Sequence, residues 1–178
     1  MADERDREFR RERTARARQL TAIQRDTAAE ITRLLKLADD RIATEIARTA
    51  SAFESWRLPL LQREVRRALD EMATDAAAKL GTAAGEAWSA GVDLVDAPLA
   101  AGGIRIAAAM PTVDTRQLLA LRAFMTDRMR DVSTTLANRI NTELGLVAIG
   151  ASKAGDAVDA VAGLIEAGGR ARALTIVR

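Results

Sequence analysis

Histidine, cysteine and tyrosine are all missing from the 178 residues, so any chemistry must rest on carboxylates, amines, guanidiniums and hydroxyls. That removes thiolate zinc sites, cysteine nucleophiles and the side chain that most often serves as general base near neutral pH. Three groupings come closest to a chemical pattern. Gly150-Ala-Ser-Lys153 brings Gly, Ser and Lys together, but a phosphate-cradling loop needs Gly, four residues, then Gly-Lys and Ser or Thr after a strand, and neither order nor context fits. The carboxylates Asp39-Asp40, Asp70-Glu71 and Asp93 with Asp96 could in principle share a proton or a cation. None stands at a telling distance from a base or ligand, and acidic pairs on helices are ordinarily solvated surface. The third grouping is basic: Arg10, Arg11, Arg13, Arg16 and Arg18 crowd near the start, where they could contact phosphates without reading bases. Asp3, Glu4, Asp6, Glu8 and Glu12 are interleaved with them, which counts against that role. No catalytic residue, cofactor or metal is expected.

The elements that must carry these residues are helical. Ala dominates the apolar fraction, aromatics make up 3%, and only three prolines interrupt the chain, so close helix packing is favoured and a sheet has almost nothing to build on. The expected fold is all-α, with a long N-terminal helix, a helical hairpin after Pro59 and a C-terminal helical bundle portion. No apolar run of membrane-spanning length occurs, and no membrane partner is expected.

Residues 1–57 read as a charged arm and one long helix from about residue 10. Leu20, Ile23, Thr27, Ile31, Leu34, Ala38, Ile42, Ile46, Ala50 and Phe53 recur at steps of three or four, the period of one helix face. A helix of that length would extend about 70 Å. Its stripe has two possible covers. One is a partner molecule, with Leu20, Ile23, Ile31, Leu34, Ile42, Ile46 and Phe53 as the contact residues. The other is the next segment of the same chain, folded back at Pro59 as an antiparallel hairpin.

Residues 60–113 carry a second pattern through Leu61, Val65, Leu69, Met72, Ala76 and Leu80, weakened beyond by Gly81, Gly85 and Gly91. The stretch from Pro98 to Pro111 reads as a loop. Gly81-Thr-Ala-Ala-Gly85 matches the small-residue spacing of close helix contacts. Trp56 and Trp88, in a chain so poor in aromatics, read as helix-contact anchors.

Residues 114–178 form the third unit. Asp114 with Gln117 is spaced like a capping box, and Val113 could staple onto Leu118. Leu118, Leu121, Met125, Met129, Val132, Leu136, Ile140 and Leu144 form a stripe up to an expected stop at Gly145. Ser152 is the expected cap of a shorter helix with Val158, Val161 and Ile165, ended by Gly168-Gly169.

Within this unit, Leu118-Leu-Ala-Leu-Arg-Ala-Phe-Met-Thr-Asp-Arg-Met-Arg-Asp-Val-Ser, then Ile140-Asn-Thr-Glu-Leu-Gly-Leu-Val-Ala-Ile-Gly150, then an Ala- and Val-rich helix and Gly169-Arg-Ala-Arg-Ala-Leu-Thr-Ile-Val-Arg178 follow one another. Over about residues 116–178 this order resembles the head-morphogenesis domain of the phage Mu F-like minor head proteins. That family closes on approximately Arg-Ala-x-x-Ile-x-Arg followed by Thr-Glu. Arg172-Ala173 and Ile176-Val-Arg178 fit the motif, and Thr-Glu is expected directly after Arg178 in a longer reading frame. The resemblance implies a structural, non-enzymatic minor head protein of a tailed bacteriophage, acting in head assembly or in DNA packaging and ejection. Its implied partners are the portal protein and the major capsid protein, with self-association and non-specific contact with packaged DNA as further contacts. Its implied place is the virion head, assembled in the bacterial cytoplasm. The alternative function is a helical virion protein that binds phosphate backbone through the Arg-rich start.

Overall fold

The structure is a computed structural model that describes residues 2–50, 57–103 and 115–177. It contains α1 (Ala2–Ala50), α2 (Leu58–Ala101), α3 (Thr115–Ala148), α4 (Ala154–Gly163) and α5 (Arg170–Val177), the last two joined by a π-helical segment, Leu164–Gly169. All-α is therefore the fold class, and the described residues contain no strand.

The charged start belongs to α1 and is not a separate arm, because its charges pair along the helix. Arg7 lies 3.1 Å from Asp3 and Arg10 lies 2.5 Å from Asp6, the four-residue spacing that supports an isolated helix surface. α1 thus begins earlier than the apolar stripe alone implies. At 49 residues it spans about 73 Å.

Pro59 falls in the first turn of α2, where its missing N–H costs nothing and its fixed φ suits the helix. From there α2 folds back on α1 over its whole length. Arg41 pairs with Glu71 at 2.5 Å and Arg16 with Asp93 at 3.6 Å. Phe9 reaches to 3.8 Å of the place a Cβ would take on Gly102. Numbers rise along one helix as they fall along the other, which defines an antiparallel hairpin. The stripe on α1 is accordingly covered from inside the chain. Ile31 and Ile46 are 0% exposed, Ile42 1% and Leu34 8%, packed in one core with Val65, Leu69, Met72 and Leu80 of α2. This corrects the assignment of Ile31, Leu34, Ile42 and Ile46 to a partner surface: the amphipathic face of α2 reaches them first.

α3 returns antiparallel to α2. Its Ser133 hydroxyl, 1% exposed, donates to Asp70 Oδ1 at 2.8 Å, and Arg122 Nε donates to the Gly81 carbonyl at 3.0 Å. Gly81 and Gly85 accept the Arg122 side chain, whose Nη2 lies 3.1 Å from the Cβ position on Gly85. The small-residue spacing is thus a helix–helix contact. Met129, Val132, Leu136, Ile140 and Leu144 are buried, as the stripe implies, while Leu121 and Met125 are only partly so. The helices α4 and α5 close the bundle against α1 and α3. The result is an up-down-up-down four-helix arrangement with α1 and α3 on one diagonal.

Helices run through weak positions and past expected ends. α2 continues through Gly81, Gly85 and Gly91 and past Pro98 to Ala101, and α3 runs through its expected stop at Gly145 to Ala148. Packing against a neighbouring helix outweighs a propensity deficit of about 1 kcal/mol per glycine. Pro98 is fully buried and sits in the last turn, where little helix remains to be broken. The cap of α4 is Lys153, not Ser152, and its backbone N–H is accepted by Asp156 Oδ2 at 3.4 Å. Gly168-Gly169 does not end the last helix either. Ala157, Val161, Ile165, Gly169 and Ala173 are all buried at steps of four, and an α-helix turning about 100° per residue would carry such a series about 160° around its axis. The wider π turn cancels the drift and keeps the series on one face. Gly169 gives room within it, since a Cβ there would lie 2.9 Å from Leu136 Cδ1 and 3.6 Å from Leu35 Cδ2 and would push the Leu136 side chain aside. The Asp114 capping box, the Val113 staple, Trp56, and the expected loop from residue 104 to Pro111 lie outside the described residues.

Candidate functional site

The bundle does not extend along the whole hairpin. The register of Arg122 on Gly81 puts the start of α3 one to two turns beyond Gly85 along α2. Past that level, among the described residues, only α1 and α2 continue, to Ala2 and Ala101, as a two-helix arm roughly 20 Å long. Leu20 and Ile23 lie where the arm leaves the bundle and are half-buried. Among the described residues they are the stripe positions that keep exposed surface on α1, and Phe9, nearer the start of the helix, is also half-buried. Phe53, the last residue assigned to that stripe, lies outside the described residues.

The arm carries the arginines singled out for phosphate contact. Arg10, Arg11, Arg13 and Arg18 are exposed, and Arg16 is half-buried between Glu12 at 3.8 Å and Asp93 at 3.6 Å. Residues 3–18 hold seven arginines and five carboxylates, and α2 adds Asp93 and Asp96 beside them. The arm is therefore electrically balanced, seven against seven. Its surface suits specific pairing with another protein better than the field of a polyanion.

A second region emerges only from the helix register. Between α2 and α3 runs an open groove of about 790 Å³, walled by Arg66, Arg122 and Arg130 and floored by Ala73, Ala77 and Gly81. It continues past Arg63 and Arg66 towards Pro59 and Asn141. Along the sequence these arginines read as scattered solvated positions. They converge because α3 sets Arg122 and Arg130 opposite the residue 73–81 turns of α2.

The acidic pairs resolve into structural roles. Asp70 accepts the Ser133 hydroxyl, Glu71 pairs with Arg41, and Asp93 with Arg16. Among the described residues no group of three or more carboxylates is placed to hold a metal ion. Gly150, at φ +74°, turns the chain between α3 and α4, so Gly150-Ala-Ser-Lys153 is a connector. No described helix is long and apolar enough to cross a membrane.

Among the described residues Asp39 is the one carboxylate whose pKa is displaced upward. Burial disfavours its charged form, Asp40 and Glu166 add repulsion, and Lys36 offsets part of it. Its Oδ1 is buried without a hydrogen bond. A pKa above that of the unfolded chain means the folded state holds its proton more tightly. The favourable contribution is then complete below the unfolded pKa and is lost as pH rises through the folded pKa. Asp39→Asn is expected to raise the melting temperature at pH 7, with the gain over wild type shrinking as pH falls through the carboxylate range. Parallel melting curves at pH 4 and pH 7 check this, and a loss of stability at pH 7 would contradict it.

Comparison with known protein families, curated proteins and solved structures found no match to this chain.

Proposed function

We propose that this chain is a non-enzymatic structural component of a tailed-phage head, a minor head protein that binds the portal or the inner capsid. The observation that carries the reading is the division of α1 and α2 into a bundled half and a projecting half. The bundled half has its apolar face saturated within the chain. The arm keeps Phe9, Leu20 and Ile23 half-exposed amid closely spaced charges of both signs, a surface suited to docking on a protein partner. The resemblance of residues 116–178 to the head-morphogenesis domain supports the choice of partner. Those residues form the α3–α5 half of the bundle, which in this reading is the platform that holds the arm. Head assembly, with a role in packaging or ejecting DNA, is the resulting function, and the virion is its place.

Capture of the tagged portal protein of the same phage genome by the full chain, compared with capture by a chain lacking residues 1–19, tests the reading. The full chain is expected to retain portal and the trimmed chain to lose it. Equal retention by both would take the attachment role away from the arm, and no retention by either would remove the portal as partner.

A further inference from the structure

We infer that the α2–α3 groove is a binding site for the phosphodiester backbone of nucleic acid, recognised without regard to base sequence. This inference is independent of the portal reading and places nucleic-acid contact away from the Arg-rich start.

The first argument is the shape of the charge. The pairs Arg122–Gly81 and Ser133–Asp70 set Arg130 level with Ala73. The guanidiniums of Arg63, Arg66, Arg130 and Arg122 therefore succeed one another along about 27 Å of groove. A row of that length exceeds any single phosphate or small carboxylate and fits an extended polyanion.

The second argument is availability. Arg63 and Arg66 have no ion pair among the described residues, and the Thr134 hydroxyl on the opposite wall has no hydrogen bond among them. Two carboxylates share the groove. Asp70 is engaged by Ser133, and Asp127 stands 3.7 Å from Arg130. Asp75 and Glu71 adjoin Arg63 and Arg66 on α2, with Glu71 already paired to Arg41, so four guanidiniums against Asp70, Asp127 and Asp75 leave the groove positive.

The third argument decides between a phosphate backbone and an acidic protein segment. No Leu, Ile, Val, Met or aromatic side chain lines the groove. A protein helix would find no apolar anchor there, and such anchors carry most protein–protein affinity. Phosphates need only guanidinium and hydroxyl donors. The lack of an aromatic platform also removes base stacking, so binding is indifferent to sequence.

Fluorescence anisotropy with labelled 20-nucleotide strands of two unrelated sequences, on the full chain, tests the assignment. Both strands are expected to bind alike at 50 mM salt, with affinity falling steeply as salt rises. Arg66→Glu with Arg130→Glu should weaken binding by about tenfold or more. Arg11→Glu with Arg13→Glu, an equal charge change roughly 40 Å further along the hairpin, should change it by less than about threefold, being beyond the screening length. Circular dichroism of both variants confirms the fold, since all four positions are exposed. Inorganic polyphosphate should compete and polyglutamate should compete poorly. Absence of binding by the wild-type chain, a greater loss in the arm variant than in the groove variant, or competition by polyglutamate as strong as by polyphosphate would each overturn the inference.

Discussion

Met129→Asp is expected to abolish cooperative folding. Met129 is 0% exposed at the middle of α3, in one core with residues of α1, α2 and α4. The substitution removes an apolar side chain, which costs about 2–5 kcal/mol by itself, and leaves a carboxylate with no partner in an apolar contact, which adds several kcal/mol more. A chain of this size has a total stability of roughly 5–15 kcal/mol, so the sum matches or exceeds what is available. Thermal unfolding followed by circular dichroism should show a transition that is lost or lowered by tens of degrees. A melting temperature within a few degrees of wild type would mean that α3 does not face the core through Met129.

Removing residues 1–57 is expected to be equally severe, although the segment includes the whole charged start. Ile31, Leu34, Leu35, Ile42 and Ile46 leave with it, and at about 1.5–3 kcal/mol for each buried side chain their loss amounts to roughly 8–15 kcal/mol, again comparable to the whole stability. Val65, Leu69 and Met72 on α2 would face water. The remaining chain should be aggregated or molten, bind a hydrophobic dye and lack a sharp transition. Removal of residues 1–19 takes away no fully buried side chain among the described residues, since the first of these along α1 is Thr27, and should leave the transition nearly unchanged. A cooperative transition in the chain lacking residues 1–57 would show that α1 is dispensable to the core.

These two expectations also show which parts of the fold were legible in the sequence. The stripe from Leu20 to Ile46 and that from Leu118 to Leu144 each specify a helix and its buried face, because the period of apolar residues is a local property. What covers a stripe is not local. Nothing in residues 20–46 distinguishes α2 from a foreign helix, and the antiparallel return becomes visible only through pairs such as Arg41–Glu71 and Arg16–Asp93. Glycine misled for a similar reason. Gly145 and Gly169 carry the local signature of helix ends, yet α3 runs on to Ala148 and Gly169 admits Leu136 and Leu35 at close range, whereas the Gly81–Gly85 spacing, read as a helix contact, does receive Arg122. The series Ala157, Val161, Ile165, Gly169 and Ala173 did hold a usable signal, since a strict spacing of four implies a wider turn. The arginine groove had no sequence signal beyond composition. Arg66 and Arg130 are far apart in the chain, and only the α2–α3 register brings them to facing walls.

The charge-dense start illustrates the opposite case. Arg10, Arg11, Arg13, Arg16 and Arg18 form the most conspicuous basic cluster in the sequence, but the hairpin sets Asp93 and Asp96 beside it and brings the arm to neutrality. Five of the seven compensating carboxylates are interleaved in the same segment and were legible there, and the last two, Asp93 and Asp96, come from a helix about 80 positions away. In the proposed function that neutral, densely charged surface gives orientation and specificity on a protein partner, while the long hairpin supplies reach.

The most direct test of that function is the composition of the particle itself. On the proposed function the chain is encoded by a phage, whose purified virions and DNA-free proheads can be disassembled, and their heads and tails separated and analysed by quantitative mass spectrometry. Peptides of this chain are expected in the head fraction at a constant ratio to portal protein, in proheads as well as in mature virions. Their absence from both particles, with the chain abundant in the soluble lysate, would contradict the account.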